Sequence, residues 1–239
     1  MNSLDEYWEL GFPHVDGWVD TRLLECLHVI NQAQSEASIT GNVGEIGVYH
    51  GKLLIALAYL VGPNELVTAI DVFNDQSKNL DGAGIGSQEH LNNNLKLYGP
   101  QNVNYEFIQA DSIALTALDK TKIMERRGPF KLFSVDGCHT AEHTFNDLIT
   151  AQEFLSPGGI LILDDFMQPH WPGVTEAVNM FYNRSVPKVK PFFCYCHKLF
   201  FVGYGWHEVL LQACLSRFEG RDNARTTAMF GSRVLSLYP

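Results

Sequence analysis

An α/β fold on a doubly wound, mostly parallel sheet is what this sequence predicts, and three observations carry that expectation. Short β-rich apolar runs alternate with longer helical patterns along most of the chain. One of the runs, Leu66-Val-Thr-Ala-Ile-Asp71, is apolar on both faces, which suits a central parallel strand covered by helices on either side. Glycines and acids collect just after the runs, where parallel strands present ligand sites.

The elements follow in order. Leu23, Leu24, Leu27 and Ile30 recur at helical spacing, so about 20–38 forms an amphipathic lead-in helix. Asn42–Val48 reads as strand 1. Leu53–Val61 is an apolar helix closed by Gly62-Pro63. Strand 2 is Leu66–Asp71. A polar stretch, Val72–Ser87, follows with Gly82, Gly84 and Gly86, and a loop of that length is either a functional flap or a surface loop. Gln88–Tyr98 is a helix, Asn104–Gln109 strand 3, and about Ser112–Glu125 a further helix. Phe130–Val135 is strand 4 and Thr140–Leu155 a helix stopped by Ser-Pro-Gly-Gly159. Gly159–Leu163 is strand 5, and Gly173–Asn183 a helix with Pro172 near its start. Lys190–Tyr204 folds into a hairpin turning near Cys196-His197-Lys198, and about His207–Phe218 is a last helix. Beyond Gly220 no element is readable. Arg221, Arg225 and Arg233 there suit closure of a pocket or a contact in a homo-oligomer.

The chain has 239 residues and a formal charge of −10, from 27 acidic and 17 basic side chains. No composition shift marks a linker, so one domain over 1–239 is expected: a lead-in (1–39), a core (40–205) and a terminal helix with tail (206–239). A chain of this size buries roughly 70–75% of its unfolded surface and needs no disulfide or zinc to fold. The acidic balance, without a basic run longer than Arg126-Arg127, excludes a nucleic-acid partner and a polybasic membrane contact. No apolar run is long enough for a bilayer span, and the N-terminus lacks signal-peptide character. Five cysteines without a C-x-x-C pair read as reduced thiols in a cytoplasmic protein.

The first constellation closes strand 1: Glu45-Ile-Gly47-Val-Tyr49-His-Gly51-Lys52. Gly47 and Gly51 allow a tight turn and close approach of backbone to a ligand, or tight packing of strand on helix. The helix that follows directs N–H groups into the same space. Asp71, at the end of strand 2 and 20 residues beyond Gly51, suits a ribose diol. The spacing is G-x-x-x-G rather than the dinucleotide G-x-G-x-x-G. Glu45 beside the first glycine repels a pyrophosphate and favours a cationic nucleoside, and S-adenosylmethionine, with its ammonium and sulfonium, meets that description.

Glu45-x-Gly47-x-x-x-Gly51, Asp71, Asp111-Ser112 and Asp136-Gly-Cys138-His139 together resemble class I S-adenosylmethionine-dependent methyltransferases, and within them the metal-dependent macrocin O-methyltransferase-like family. The resemblance covers roughly residues 40 to 205. It implies a Rossmann-like methyltransferase fold with seven strands and a terminal antiparallel hairpin. It also implies that Glu45, Gly47, Tyr49, Gly51 and Lys52 line the methionine part of the cofactor. Asp71 and Val72 then hold the ribose, Asp111 and Ser112 border the adenine, and Asp136 touches the cofactor.

The second constellation is Asp136, Asp164 and Asp165, at the ends of strands 4 and 5. Adjacent strand ends bring three carboxylates together, and a hard divalent cation, Mg²⁺ first, relieves their repulsion. Either Asp164 or Asp165 can instead cap the following segment. The resembled enzymes often carry Glu-Asp where this chain has Asp164-Asp165, one methylene shorter at the first position, which puts one direct ligand in doubt. His139 lies three residues after Asp136, and an ordinary pKa near 6.5 suits it to take the acceptor's proton. The relatives commonly read Asp-Gly-Ser-His, and Cys138 replaces that serine here. Trp171, in Gln168-Pro-His-Trp-Pro-Gly173, offers a flat wall for an acceptor ring or a place in the core.

These expectations converge on a metal-dependent O-methyltransferase acting on a hydroxyl of a small molecule such as a sugar or other natural product. The competing readings are a nicotinamide-dependent oxidoreductase on a related sheet and a non-catalytic S-adenosylmethionine-binding protein.

Overall fold

The computed structural model describes residues 1–238 and holds one sheet of nine strands. The helices are α1 (Leu23–Glu36), α2 (Lys52–Ala58), α3 (Gln88–Tyr98), α4 (Ala117–Arg127), α5 (Ala141–Phe154), α6 (Pro172–Arg184) and α7 (His207–Phe218). The strands are β1 (Asn42–Ile46), β2 (Leu66–Asp71), β3 (Asn104–Gln109), β4 (Phe130–Val135), β5 (Leu155–Leu163), β6 (Val189–Tyr195), β7 (Lys198–Gly203), β8 (Ala224–Met229) and β9 (Ser232–Leu237). Their spatial order is β3-β2-β1-β4-β5-β7-β6-β9-β8.

β1 to β5 are mutually parallel, and β1 and β4 are buried along their whole length. Alternate side chains feed two apolar layers. Val43, Val67, Leu132 and Ile162 pack with α1, α2, α3 and α7, whereas Ile46, Ile70, Val135 and Leu163 pack with α4, α5 and α6. The chain leaves β1 for β2 and β3 and then returns to β4 on the other side, so the order reverses between β1 and β4. That reversal opens a crevice at the C-terminal strand ends, the place where such sheets bind ligands.

Seven strands were expected and nine are present. The tail beyond Gly220 is a hairpin, β8–β9, whose β9 runs parallel to β6 through Phe193↔Leu235. The arginines of that region do not close a pocket. Arg221 bonds Glu25 at 2.5 Å, Arg233 bonds Glu208 at 2.8 Å, and Arg225 donates to the Ala224 carbonyl. The helix expected from Ser112 starts later, at Ala117, because Thr116 and Asp119 form a capping box there. β5 begins before Gly159, with a shift in register against β4 between Phe130 and Leu132.

At the N-terminus, short helical turns over Leu4–Glu6, Tyr7–Gly11 and Phe12–His14 bury Tyr7 completely. Its ring stacks on Tyr59 and its hydroxyl donates to the Lys52 carbonyl at 2.8 Å. This anchor carries the following segment, Asp16–Val19, to the mouth of the crevice.

Candidate active site

The β1–α2 loop is held in a shape that few residues tolerate. Gly47, Tyr49 and Gly51 all have left-handed backbones, with φ of 81°, 52° and 88°. A Cβ on Gly47 would stand 1.8 Å from the Asp136 carbonyl oxygen, so the loop crosses the end of β4 at glycine contact. A Cβ on Gly51 would meet Leu91 Cδ1 at 2.4 Å. Gly51 therefore serves packing; it lines neither cavity of the crevice. Asp71 fixes the loop from β2. One of its oxygens accepts the N–H groups of Val48 (2.6 Å) and Tyr49 (3.0 Å), and the other accepts from Phe73 at 2.5 Å.

Two cavities lie above the strand ends. The smaller, about 100 Å³, is bounded by Gly47, Tyr49, Asp71, Val72, Asp111 and Ser112, and covered by Gln76–Gly86 residues. The larger, about 510 Å³, is bounded by Glu45, Lys52, Asp164 and Asp165 from the sheet side and by Asp16, Trp18, Gln168, His170 and Trp171 above. Gly47, Tyr49, Ala83, Gly84, Asp136 and His139 border both. The two spaces thus meet at Asp136 and His139.

Glu45 is buried on β1, and its Oε2 has no partner. Burial first, and the nearby Asp136 second, push its carboxyl well above the usual range. An orphaned acid oxygen on the wall of the larger cavity fits the ammonium of S-adenosylmethionine.

His139 sits between acids. Its Nδ1 pairs with Asp81 Oδ2 at 2.7 Å, and its backbone N–H donates to that same oxygen at 2.6 Å. Its Nε2 lies 3.0 Å from Asp165 Oδ2 and 3.8 Å from Asp136 Oδ1. Trp171 stacks on the ring at 4.2 Å between centroids, so it walls the cavity through His139. Burial alone would lower the imidazole pKa, but hydrogen bonds to Asp136, Asp165 and Asp81 outweigh it and lift it to about 11. The ordinary value near 6.5 expected from sequence is therefore displaced upward by the three acids around the ring.

Asp136, His139 and Asp165 offer ligand atoms within 4.8 Å of one another, a donor set that fits a divalent cation. Asp165 enters this group because its φ of 54° departs from the strand, where successive side chains point to opposite faces. Asp164 stands outside the group. Its Oδ2 accepts from Lys198 Nζ and its Oδ1 from the Asp165 N–H at 2.8 Å. Burial works against the Lys198 ammonium, but Asp164, Asp136 and Glu45 together raise its pKa and keep it charged.

All the sequence-expected residues except Gly51 line the crevice. Asp81 and the Asp16–Val19 segment were not expected there, nor was Lys198 expected behind Asp164. Lys198 left one signal, a lone charge within the apolar run Phe192–Val202. Asp81 left none, because an acid in a polar loop is ordinary.

The fold and the crevice define a nucleoside-binding α/β enzyme of the S-adenosylmethionine-dependent methyltransferase class. Residues 45–166 match the model of the methyltransferase-domain family Methyltransf_24, and this chain belongs to that family. The nicotinamide oxidoreductase reading gives way to that membership. Among solved structures, the fold is similar to that of the O-methyltransferase NovP, at 16% identity and TM-score 0.59, over 75% of this chain and 80% of NovP. It is similar to CalS11, a TDP-rhamnose 3′-O-methyltransferase of calicheamicin biosynthesis, at 18% identity and TM-score 0.54, over 84% and 86% of the two chains. It also resembles MycE, from the mycinamycin biosynthetic pathway, crystallised with Mg and SAH, at 16% identity and TM-score 0.54. That match covers 84% of this chain but 53% of MycE, so the chain spans about half of MycE's length. A comparison with curated proteins gives no match. Among the described residues no helix is long and apolar enough to cross a membrane.

Proposed function

We propose that the protein transfers the methyl group of S-adenosylmethionine to a hydroxyl of a small acceptor, a sugar or another natural product. The observation that carries this reading is the meeting of a small cavity bordered by Asp71, Val72, Asp111 and Ser112 with a roomier acceptor space at one acid–histidine pair, Asp136 and His139. NovP, which shares the fold, is an O-methyltransferase, and CalS11 and MycE are methyltransferases of the calicheamicin and mycinamycin biosynthetic pathways, in line with such an acceptor.

The residues divide the work. Asp71 and Val72 face the ribose, and Asp111 and Ser112 border the adenine. Glu45, Gly47, Tyr49 and Lys52 surround the methionine portion, with Glu45 Oε2 taking its ammonium. Bound there, the cofactor supplies an electrophilic methyl on sulfur. Trp18 presents a flat face to the acceptor, and Trp171 backs the His139 ring. In its neutral form His139 takes the hydroxyl proton on Nε2 as the acceptor oxygen bonds to the methyl carbon and the carbon–sulfur pair returns to sulfur. Asp81 holds Nδ1 and fixes the ring's orientation throughout.

Asp136 and Asp165 would hold a divalent ion, Mg²⁺ in the first instance, beside His139. Such an ion supplies a Lewis acid for the hydroxyl and offsets the acids that otherwise keep the imidazole protonated.

The test is methyl transfer from labelled S-adenosylmethionine to a panel of hydroxylated sugars, phenols and glycosides, with Mg²⁺ and with chelator. Label should appear on an acceptor oxygen, and His139→Gln should abolish it. Purified protein that fails to bind S-adenosylhomocysteine overturns the reading.

A further inference from the structure

Lys198 reaches the site from outside the parallel sheet. Leu199 pairs antiparallel with Leu163, so Lys198 falls beside the residue that follows β5, which is Asp164. The side chain is 1% exposed, and lysine is almost never buried to that degree without a paired charge. Its ammonium donates to Asp164 Oδ2, while Asp164 Oδ1 is taken by the Asp165 backbone N–H. Both oxygens of this carboxylate thus have partners within the protein. The remaining donors, Asp136, His139 and Asp165, converge without it.

We propose that Lys198 is a built-in cation of the reaction centre, a positioning residue that holds Asp164 out of the metal-donor set and leaves a divalent ion the carboxylates of Asp136 and Asp165. The proposal rests on the reading of this crevice as a methyl-transfer site with an ion. Its physical content is charge. A fixed ammonium near the ion repels it, and the carboxylate it withdraws would otherwise attract it. The protein accordingly holds its ion with two acids where the neighbouring residues could supply three.

The experiment measures Mn²⁺ affinity of the full-length, metal-stripped protein from the free-Mn²⁺ electron paramagnetic resonance signal. Asp165→Asn should lose affinity by about tenfold or more, as removal of a ligand does, whereas Asp164→Asn should stay within about threefold of wild type. Lys198→Met, of similar length but uncharged, should bind Mn²⁺ at least about tenfold more tightly because it frees a third carboxylate. A loss in Asp164→Asn equal to that in Asp165→Asn overturns the proposal, as does unchanged affinity in Lys198→Met. If Lys198→Met fails to fold, Asp164→Asn decides alone. Binding by Lys198→Met but not by wild type supports it, and binding by neither overturns it. S-adenosylhomocysteine binding, measured on the same samples, tests the methyltransferase reading separately; its loss in wild type would sink that reading without altering the order of Mn²⁺ affinities.

Discussion

Gly47 shows how little freedom a single residue has at the crossing of two strand ends. Its backbone is left-handed, and a side chain would collide with the Asp136 carbonyl. Gly47→Ala should cost about 1–3 kcal/mol, a fall in melting temperature of roughly 2–12 °C, measured by calorimetry. Asp147 offers a second case. It is fully buried on α5 with Oδ2 unpartnered, and burial pushes its carboxyl up to about 7, against hydrogen bonds from Ser112 and Asn146 that lower it. In the unfolded chain it titrates near 3.9. The folded state thus prefers the protonated form. The stability this contributes is complete below about pH 3.9 and is lost as pH rises through about 7. Asp147→Asn should remove that loss, leaving the variant more stable than wild type at pH 8 by roughly 1–4 kcal/mol in urea titrations. An unaltered pH dependence would show that the carboxyl is ionised in the folded protein.

At the scale of elements, the segment Gln76–Gly86 joins the sheet's two ligand spaces. It covers the smaller cavity, borders the larger through Gly82–Gly84, and is tied down where Asp81 meets His139. Cavities that hold drug-sized ligands usually exceed about 300 Å³, so a space of about 100 Å³ requires this segment to move outward before a nucleoside enters. Asp81→Asn should release the tie. Amide hydrogen exchange over 76–86 should rise several-fold in the free protein, and S-adenosylhomocysteine should slow it again. Exchange identical to wild type would mean that the Asp81 contact does not restrain the segment. The elements also differ in how readable they were. Leu66–Asp71 announced itself because a strand buried on both faces needs continuous apolar character. β8 did not: Ala224–Met229 is an edge strand, half of it exposed and half of it polar. Its turn, Phe230-Gly231, has positive φ at both residues, the geometry of a two-residue hairpin, but lacks the Asn-Gly or Asp-Gly pair that would mark it.

For the whole molecule, cofactor binding should register as stability. Ligand at 100 times its dissociation constant adds about 2.7 kcal/mol, which in a chain of this size raises the melting temperature by roughly 5–11 °C. S-adenosylhomocysteine should give that shift and NADH should give none, read by differential scanning fluorimetry. The reverse result would return the oxidoreductase reading.

The sequence by itself determined the parallel core, the strand-end crevice and the acids and glycines at the tips of its strands. Apolar periodicity and the position of glycines and acids after strands are local properties, and parallel topology then sends those positions to one edge. Tertiary structure decided which acids act together. Asp164 and Asp165 are neighbours in the chain, yet a left-handed backbone at Asp165 and an ammonium delivered from 34 residues away give them different partners. Asp81 likewise meets His139 across 58 residues. Charge pairing across such separations depends on distance in space, which spacing along the chain does not encode.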